Sequence, residues 1–271
     1  MKILVCFKAA PKVEMLLDED WVVDKKHKID TSFVRSELSS YDESALEMAL
    51  KLSDATQGLG ILLRLNALTV DNRSAAPILK TLNALQFETV VRVEPQEDLL
   101  FHSTVVAAII SQYIRDHASQ DVVMMGRQSD IGENAKTPLL TAEMLGWPCI
   151  TQATQIEPAD EKHLIVTHQV DDGYARVKVR MPIVISVGDA PCSYLRKPTL
   201  RDRLNHGKKT IEVLSADAFD LPAETEVFTE LSILRHERAG KIIEGESPAE
   251  KAKKLYKAYL KPVLSEKKVL L

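Results

Sequence analysis

The chain has 271 residues, of which 45% are hydrophobic and 27% are charged, and its formal net charge is −4. This composition is typical of a globular protein, and the slightly acidic balance argues against a dedicated nucleic-acid binder, which would usually be basic. The sequence has no apolar run near the roughly 18 residues of a membrane span, and its three scattered cysteines fit a reducing compartment. We therefore expect a cytoplasmic protein that binds no nucleic acid and is not stably inserted in a membrane.

Apolar segments alternate with segments of helical periodicity along most of the chain. This order predicts a three-layer α/β fold of the nucleotide-binding type, with a mostly parallel sheet and helices on both faces. The predicted core strands are Ile3–Phe7, Leu65–Val70, Thr89–Val93, Asp121–Met125 and Met181–Val187. The predicted helices are Ser40–Lys51 (capped by Ser40), Ser74–Leu85, His102–His117 and Thr137–Leu145.

A different pattern appears after residue 160. Apolar and polar residues alternate in Leu164–Val170 and in Tyr174–Arg180, on either side of the turn-forming pair Asp172-Gly173. Strict alternation flanking such a pair is typical of two antiparallel strands joined by a tight turn. The sequence therefore predicts a β-hairpin next to the parallel sheet.

The C-terminal quarter reads as an appendage to the α/β domain. Residues 214 to 227 have the character of a linker, and Ser247 opens a final amphipathic helix. We therefore expect an α/β nucleotide-binding domain over residues 1–215, followed by a linker and a C-terminal helical arm over residues 216–271.

A polar loop follows the predicted strand Asp121–Met125. Gly126 lets the backbone turn at the end of this strand, and Thr137 has the character of an N-cap, with Pro138 at the first helical position. A loop between a parallel strand and a helix N-terminus offers free N–H groups and the positive end of the helix dipole to an anion. The pattern predicts that residues 126–137 can hold a phosphate group.

Several segments resemble the β subunit of electron-transfer flavoproteins. They are residues 126–128, 132–134 and 141–148 in the loop and its helix, Met1–Lys8 in the first strand and Tyr41–Glu47 in the first helix. The resemblance covers about residues 1 to 215. It implies a subunit that shares FAD with an α-type subunit and holds AMP or a second FAD in the 126–137 loop. In such a heterodimer, electrons pass from a dehydrogenase through FAD to an acceptor oxidoreductase.

The same resemblance implies which residues bind the cofactor. Cys6 stands where the family's first strand approaches the base, and Val70 ends the second core strand, although both also fit plain core packing. Residues 135–137 depart from the family's pattern, so backbone N–H groups would hold a ligand there. The implied cofactor-binding residues are Cys6, Ser39, Ser40, Tyr41, Asp42, Val70, Gly126, Arg127, Gln128, Ser129, Asp130, Ile131, Gly132, Glu133, Asn134, Ala135, Lys136 and Thr137.

A basic segment corresponds to the loop by which the family docks on acyl-CoA dehydrogenases. The resemblance therefore implies that residues 190–200 contact a dehydrogenase. Tyr194 and Pro198 match the family's loop, whereas Lys197 stands at the position of its anchoring leucine. The lysine at this position is compatible with two alternatives: a loop that docks on a different partner, and a solvated basic loop that docks on none.

The sequence contains no recognisable catalytic or metal-binding pattern. Its seven histidines are dispersed, and it has no G-x-G-x-x-G, no Walker loop and no nucleophile elbow. An electron carrier needs no general acid or base, because the flavin performs the chemistry. We therefore expect an electron carrier subunit and not an enzyme. Two other interpretations stay open: a stand-alone adenine-nucleotide-binding regulatory protein, and a structural subunit whose nucleotide site has decayed.

Overall fold

One nine-stranded sheet organises the part of the chain that the structure describes. The structure is a computed structural model, and it describes residues 1–25, 27–72, 74–97, 99, 101–132, 134–191, 194–222, 230–233 and 240–267. The strands in these residues are β1 (Lys2–Cys6), β2 (Ala9–Pro11), β3 (Ser36–Leu38), β4 (Arg64–Val70), β5 (Thr89–Glu94), β6 (Val122–Gly126), β7 (Cys149–Asp160), β8 (His163–Val170), β9 (Gly173–Arg180), β10 (Ile183–Val187) and β11 (Glu212–Ser215). Their order in the large sheet is β11-β5-β4-β1-β6-β10-β7-β8-β9. Pairing is parallel up to β7 and antiparallel in β7–β8 and β8–β9, while β2 and β3 form a separate ribbon.

The α-helices in the described residues are α1 (Ser40–Gln57), α2 (Ala76–Ala84), α3 (Ser103–Gln112), α4 (Thr137–Leu145), α5 (Leu200–Asn205), α6 (Pro248–Leu255) and α7 (Lys261–Lys267). The first four of them cover the two faces of the large sheet. Residues of α1 and α2 pack with Ile3 and Val5 of β1, and residues of α3 and α4 pack with Leu4 and Cys6 on the opposite face. The predicted three-layer α/β fold is confirmed.

Strand β1 lies where the strand order reverses. The chain runs from β1 outward to β4 and β5 on one side, and from β6 to β10 on the other. In open α/β sheets, ligands bind outside the carboxyl ends of the strands at such a reversal. The fold therefore favours a ligand next to Cys6 and Gly126, the last residues of β1 and β6.

The five predicted core strands all lie in the large sheet, within one or two residues of their predicted ends, and the hairpin is formed by β8 and β9. The prediction misses β7 and β11 of the large sheet and also the ribbon formed by β2 and β3. Strand β7 carries Pro158 and has a positive φ of 55° at Gln152, so its side chains do not alternate regularly. Strand β11 takes up residues 214 and 215 of the predicted linker, because its backbone pairs with β5 although its side chains are largely exposed.

Two predicted helix caps are displaced by one residue. The side chain of Ser39, and not that of Ser40, accepts a hydrogen bond from the Asp42 backbone N–H and so caps α1. Helix α4 begins at Thr137 itself, after Lys136, and no side chain caps it. The predicted N-cap roles of Ser40 and Thr137 are therefore wrong, and the first turn of α4 keeps its N–H groups free of a side-chain cap.

The chain divides into two compact units, Met1–Leu231 and Ser232–Leu271. In the second unit, α6 continues through a π-helical turn, Tyr256–Leu260, into α7, and the Ser247 side chain caps α6 by accepting from the Glu250 N–H. Apolar side chains of this helical segment are exposed, namely Leu255, Tyr256, Tyr259, Leu260, Val263 and Leu264. Across the described residues, every helix is too short or too polar to cross a bilayer.

Candidate functional site

A cavity of about 1040 Å³ opens at the carboxyl ends of β1, β4 and β6. Small-molecule sites commonly have volumes of roughly 300–1000 Å³, so this cavity can accommodate a nucleotide. Most of the residues that the sequence resemblance implies line it: Cys6, Asp42, Val70, Gly126, Arg127, Gln128, Ser129, Asp130, Ile131, Gly132, Asn134, Ala135, Lys136 and Thr137.

The remaining implied residues lie elsewhere. Ser39 is buried, with its hydroxyl 3.3 Å from the carbonyl oxygen of Gln128. Ser40 and Tyr41 line a second cavity of about 400 Å³, together with residues 188–191. Glu133 lies outside the described residues. The part that these four residues play in cofactor binding stays a prediction.

Gly126 forms the tightest backbone approach in the site. A Cβ atom at this position would lie 2.7 Å from Asp42 Oδ1 and 2.8 Å from both the Asp42 backbone nitrogen and the Tyr41 carbonyl carbon. Real Cβ atoms essentially never come so close to backbone atoms. Glycine is therefore required here because the end of β6 touches the first turn of α1.

Asp42 joins three segments at the floor of the cavity. Its buried carboxylate accepts hydrogen bonds from the Gly126 N–H at 3.2 Å, from the Lys8 N–H at 3.4 Å and from the Ser39 hydroxyl at 3.0 Å. Burial raises the pKa of Asp42 to about 7, although these hydrogen bonds and the Lys8 charge oppose the rise. The carboxyl group thus fixes the starting points of the loop after β6 and of the chain after β1.

The Lys8 side chain crosses from the end of β1 to the loop after β6. Its ammonium group donates to the carbonyl oxygen of Ile131 at 3.1 Å and to Ser129 Oγ at 3.3 Å. The Ser129 hydroxyl in turn donates to the same carbonyl oxygen at 2.6 Å. This arrangement holds residues 129–131 in one conformation and places a positive charge on the cavity wall.

The second half of the loop has an unusual backbone. Gly132 has a φ of 96° and Ala135 a φ of 52°, and the Asn134 side chain accepts from the Lys136 N–H at 3.1 Å. Such left-handed residues and side-chain turns bend the chain sharply just before α4. The loop therefore places the N-terminus of α4 at the cavity.

The first turn of α4 can accept an anion. Its first N–H groups, at Thr137 and Leu139, have no partner within the helix, and Pro138 has no N–H to offer. The helix dipole adds a partial positive charge at the same place. Together with Lys8 and the glycine-bearing loop, this turn forms a cradle that suits a phosphate group and does not depend on particular side chains.

Sequence reasoning missed the far wall of the cavity. This wall comes from residues of the 27–36 segment and of the 95–106 segment, which includes the start of α3. A signal was present, because β5 lies next to β4, and a helix that follows β5 must begin at the same edge of the sheet. Lys8 also lines the cavity, and it is missing from the residues implied by the resemblance although it ends the resembling segment Met1–Lys8.

The segment predicted to dock a dehydrogenase is tied to α1. The Arg196 guanidinium donates to both carboxylate oxygens of Glu47 at 2.8–3.1 Å and to Asp54 at 2.8 Å, and Glu47 is buried. Tyr194 and Leu200, on either side of this anchor, are 81% and 74% exposed. The described part of the loop is therefore a fixed base that presents two apolar side chains to solvent.

Metal chemistry has no visible support. Within the residues that the structure describes, no group of three or more His, Cys, Asp or Glu side chains is placed to hold an ion. Cys6 is buried, and burial raises the pKa of its thiol well above its usual range.

These features define an open α/β protein whose topological reversal carries a loop and a helix N-terminus that suit a phosphate group. Comparison with known proteins identifies its family. A family model described as the electron transfer flavoprotein domain matches residues 27–219. The chain belongs to the electron transfer flavoprotein family, as a β-type member. The resemblance found in the sequence is therefore confirmed.

Individual relatives match over most of their length. The chain is 33% identical to YgcR of Escherichia coli strain K12, provisionally described as an electron transfer flavoprotein subunit, over 96% of this chain and 98% of that protein. It is 26% identical to the electron transfer flavoprotein subunit beta of Bacillus subtilis, over 88% of this chain and 91% of that protein. It is also 26% identical to CarD of Acetobacterium woodii, a subunit of a caffeyl-CoA reductase–Etf complex, over 69% of this chain and 68% of that protein. Its relatives are electron transfer subunits.

Proposed function

We propose that this chain is the β-type subunit of a heterodimer whose α-type partner contributes most of an FAD site. The heterodimer takes electrons from a dehydrogenase and passes them through that FAD to an acceptor oxidoreductase. Family membership supports this assignment, and so do the relatives named as subunits of electron-transferring complexes. The described residues add a nucleotide-sized cavity, and none of their His, Cys, Asp and Glu side chains form a group placed to hold a metal ion.

We further propose that the 126–137 loop binds a second nucleotide, either AMP or another FAD. The single observation that carries this proposal is the cradle formed by Gly126, Lys8 and the uncapped first turn of α4 around one cavity. Backbone N–H groups and a helix dipole recognise phosphate whatever side chains the loop carries. The departures of residues 135–137 from the family's pattern therefore leave phosphate binding intact.

In this proposal the chain's residues position the cofactors. FAD would supply the redox chemistry when bound. The buried Asp42 and the Lys8 ammonium hold the loop in place, and the apolar walls around Cys6 and Val70 exclude water. In this division of labour the protein holds the cofactors and the flavin performs the chemistry.

The dehydrogenase contact is proposed for residues 190–200. The Arg196–Glu47 ion pair fixes the base of this segment, and the exposed Tyr194 and Leu200 provide an apolar surface for a partner. Lys197 is exposed between them. A partner with an acidic residue opposite Lys197 would fit better than one with an apolar pocket at that place.

Co-expression with an α-type subunit tests the assembly. Size-exclusion chromatography with absorbance detection should give a heterodimer with a flavin spectrum. We expect truncation at Glu246 to weaken this assembly, because it removes the proposed arm and its exposed apolar helices. A monomer that holds a nucleotide but binds no co-expressed α-type subunit would favour the interpretation as a stand-alone regulatory protein. A heterodimer whose β-type subunit holds no nucleotide would favour the structural subunit with a decayed site.

A further inference from the structure

The hydroxyl of Ser103 is a buried polar group without a partner at the wall of the cavity. Three buried side-chain nitrogen or oxygen atoms in the described residues make no hydrogen bond, and they belong to Thr69, Arg92 and Ser103. Of these three residues, only Ser103 lines the cavity. Ser103 is only 5% exposed. A buried hydroxyl is normally satisfied, so its partner is to be sought in what the cavity binds.

Ser103 is the first residue of α3, which packs beside α4. Both helices follow parallel strands and begin at the carboxyl edge of the sheet, and residues of both first turns line the cavity. The axes of helices packed side by side are roughly 10 Å apart. This separation is comparable to the distance between the phosphate and the base of one nucleotide. A phosphate at the first turn of α4 therefore brings the other end of the molecule to the first turn of α3.

Part of the cavity lining is apolar. Cys6 and Val70, at the ends of β1 and β4, belong to it, and so do Val106 and Ile110 of α3. Apolar surfaces suit the flat face of an aromatic base, whereas a ribose would need several hydroxyl partners. In the same lining, Ser103 is the buried side chain whose polar atom has no partner among the described residues.

We propose that Ser103 is a specificity-determining residue that forms a hydrogen bond with the polar edge of a nucleobase. The inference rests on the proposed nucleotide site and adds to it a hydrogen-bonding partner for the base. A serine hydroxyl both donates and accepts, so it can pair with a ring nitrogen or with an exocyclic amine. Because the hydroxyl makes no bond in the free protein, its contribution is to binding and not to folding.

The test is Ser103→Ala in the full-length chain, with titration calorimetry of AMP and of ribose 5-phosphate, which lacks the base. We expect AMP affinity to fall roughly 3- to 10-fold, the range for one neutral hydrogen bond, and ribose 5-phosphate affinity to stay unchanged. The melting temperature without ligand should stay the same or rise, because the variant removes an unsatisfied group. The rise in melting temperature caused by AMP should shrink.

Ser111→Ala is the matched control, because Ser111 is a buried serine of the same helix whose hydroxyl donates to the Thr141 carbonyl oxygen at 3.5 Å. It should lower the melting temperature without ligand and leave AMP affinity unchanged. Equal AMP affinity in Ser103→Ala and the wild type would overturn the inference, and so would an equal loss for ribose 5-phosphate or a destabilised free protein. In each of those cases the proposed nucleotide site stands. A wild-type chain that binds neither compound would overturn the nucleotide site and this inference with it.

Discussion

At the scale of single residues, the site depends on contacts between backbone segments more than on reactive side chains. Gly126 allows β6 to touch α1, Asp42 receives the N–H groups that result, and Lys8 holds the loop from the opposite side.

Replacing Gly126 by alanine should destabilise the protein and weaken nucleotide binding. The added Cβ would meet the Asp42 and Tyr41 backbone at 2.8 Å, and neither backbone is free to move. We expect a loss of about 1–3 kcal/mol in the free energy of unfolding, measured by urea denaturation. Gly58→Ala is the control, because its φ is −70° and a Cβ there meets only one atom at 4.0 Å. Equal stability of the two variants would contradict the close approach.

Asp42 should make stability fall as the pH rises from about 4 to 7. Burial raises its pKa in the folded protein to about 7 from an ordinary value of 3.8, so in this window the folded state keeps a proton that the unfolded chain has released. The contribution of Asp42 to stability is fully present below this pH window and has been lost above it. The total change is on the order of 4 kcal/mol at most.

The measurement is the free energy of unfolding against pH for the wild type and Asp42→Asn. The variant cannot titrate at this position, so the difference between the curves should shrink or change sign across the window. Parallel curves between pH 4 and pH 7 would show that Asp42 titrates normally.

Lys8→Met should weaken AMP binding with little loss of stability. The variant keeps the apolar stem but removes the ammonium group that holds the Ile131 carbonyl and Ser129. We expect an affinity loss of roughly 3- to 10-fold by calorimetry, since charge-assisted hydrogen bonds contribute about 1.5–3 kcal/mol and part of this is lost to solvent. Lys12→Met, which breaks a surface pair with Glu37, is the control. The idea fails if both variants bind AMP like the wild type.

At the scale of elements, the sequence predicts those strands whose residue types are determined by burial. β1, β6 and β10 are covered on both faces, so their apolar runs stand out, and their predicted ends are nearly right. β7 was missed because it changes partner along its length, pairing first with β10 and then with β8, and bends at Gln152. β11 was missed because it lies at the edge of the sheet with its side chains largely exposed, so its sequence has no apolar run.

The site was predictable in part for the same reason. The loop after β6 follows a buried strand and precedes a helix, so its residues could be named from the sequence. The far wall depends on which helices begin at the same edge, and this requires the strand order. Ser40 and Tyr41 are neighbours of Asp42 in sequence, but the first turn of α1 directs them to a second cavity. Proximity in sequence alone does not reveal which cavity a side chain lines.

The segment after Pro191 should depend on its ion pair with α1. Arg196→Ala would leave the buried Glu47 carboxylate without its main partner, and the exposure of Arg196 moderates the cost. We expect a loss of about 2–4 kcal/mol in the free energy of unfolding. Arg64→Ala breaks an exposed pair with Glu88 and should cost less than about 1 kcal/mol. A double variant, Glu47→Gln with Arg196→Ala, should recover part of the loss; no recovery would contradict the buried-charge explanation.

At the scale of the whole molecule, we propose a subunit that positions a cofactor. Its α/β unit has a large cavity at the reversal of the sheet and an anchored loop with exposed apolar side chains. The second unit is helical and also has exposed apolar residues. Our central proposal is that the 126–137 loop holds a nucleotide.

Quantification of the ligands released from the purified native heterodimer tests this claim most directly. Acid extraction followed by mass spectrometry should recover one nucleotide, AMP or FAD, for each copy of this chain, in addition to one FAD for the shared site. The same preparation of Gly126→Ala should lose the additional nucleotide and keep the shared FAD. Recovery of a single FAD per heterodimer, with no further nucleotide in the wild type, would contradict the account.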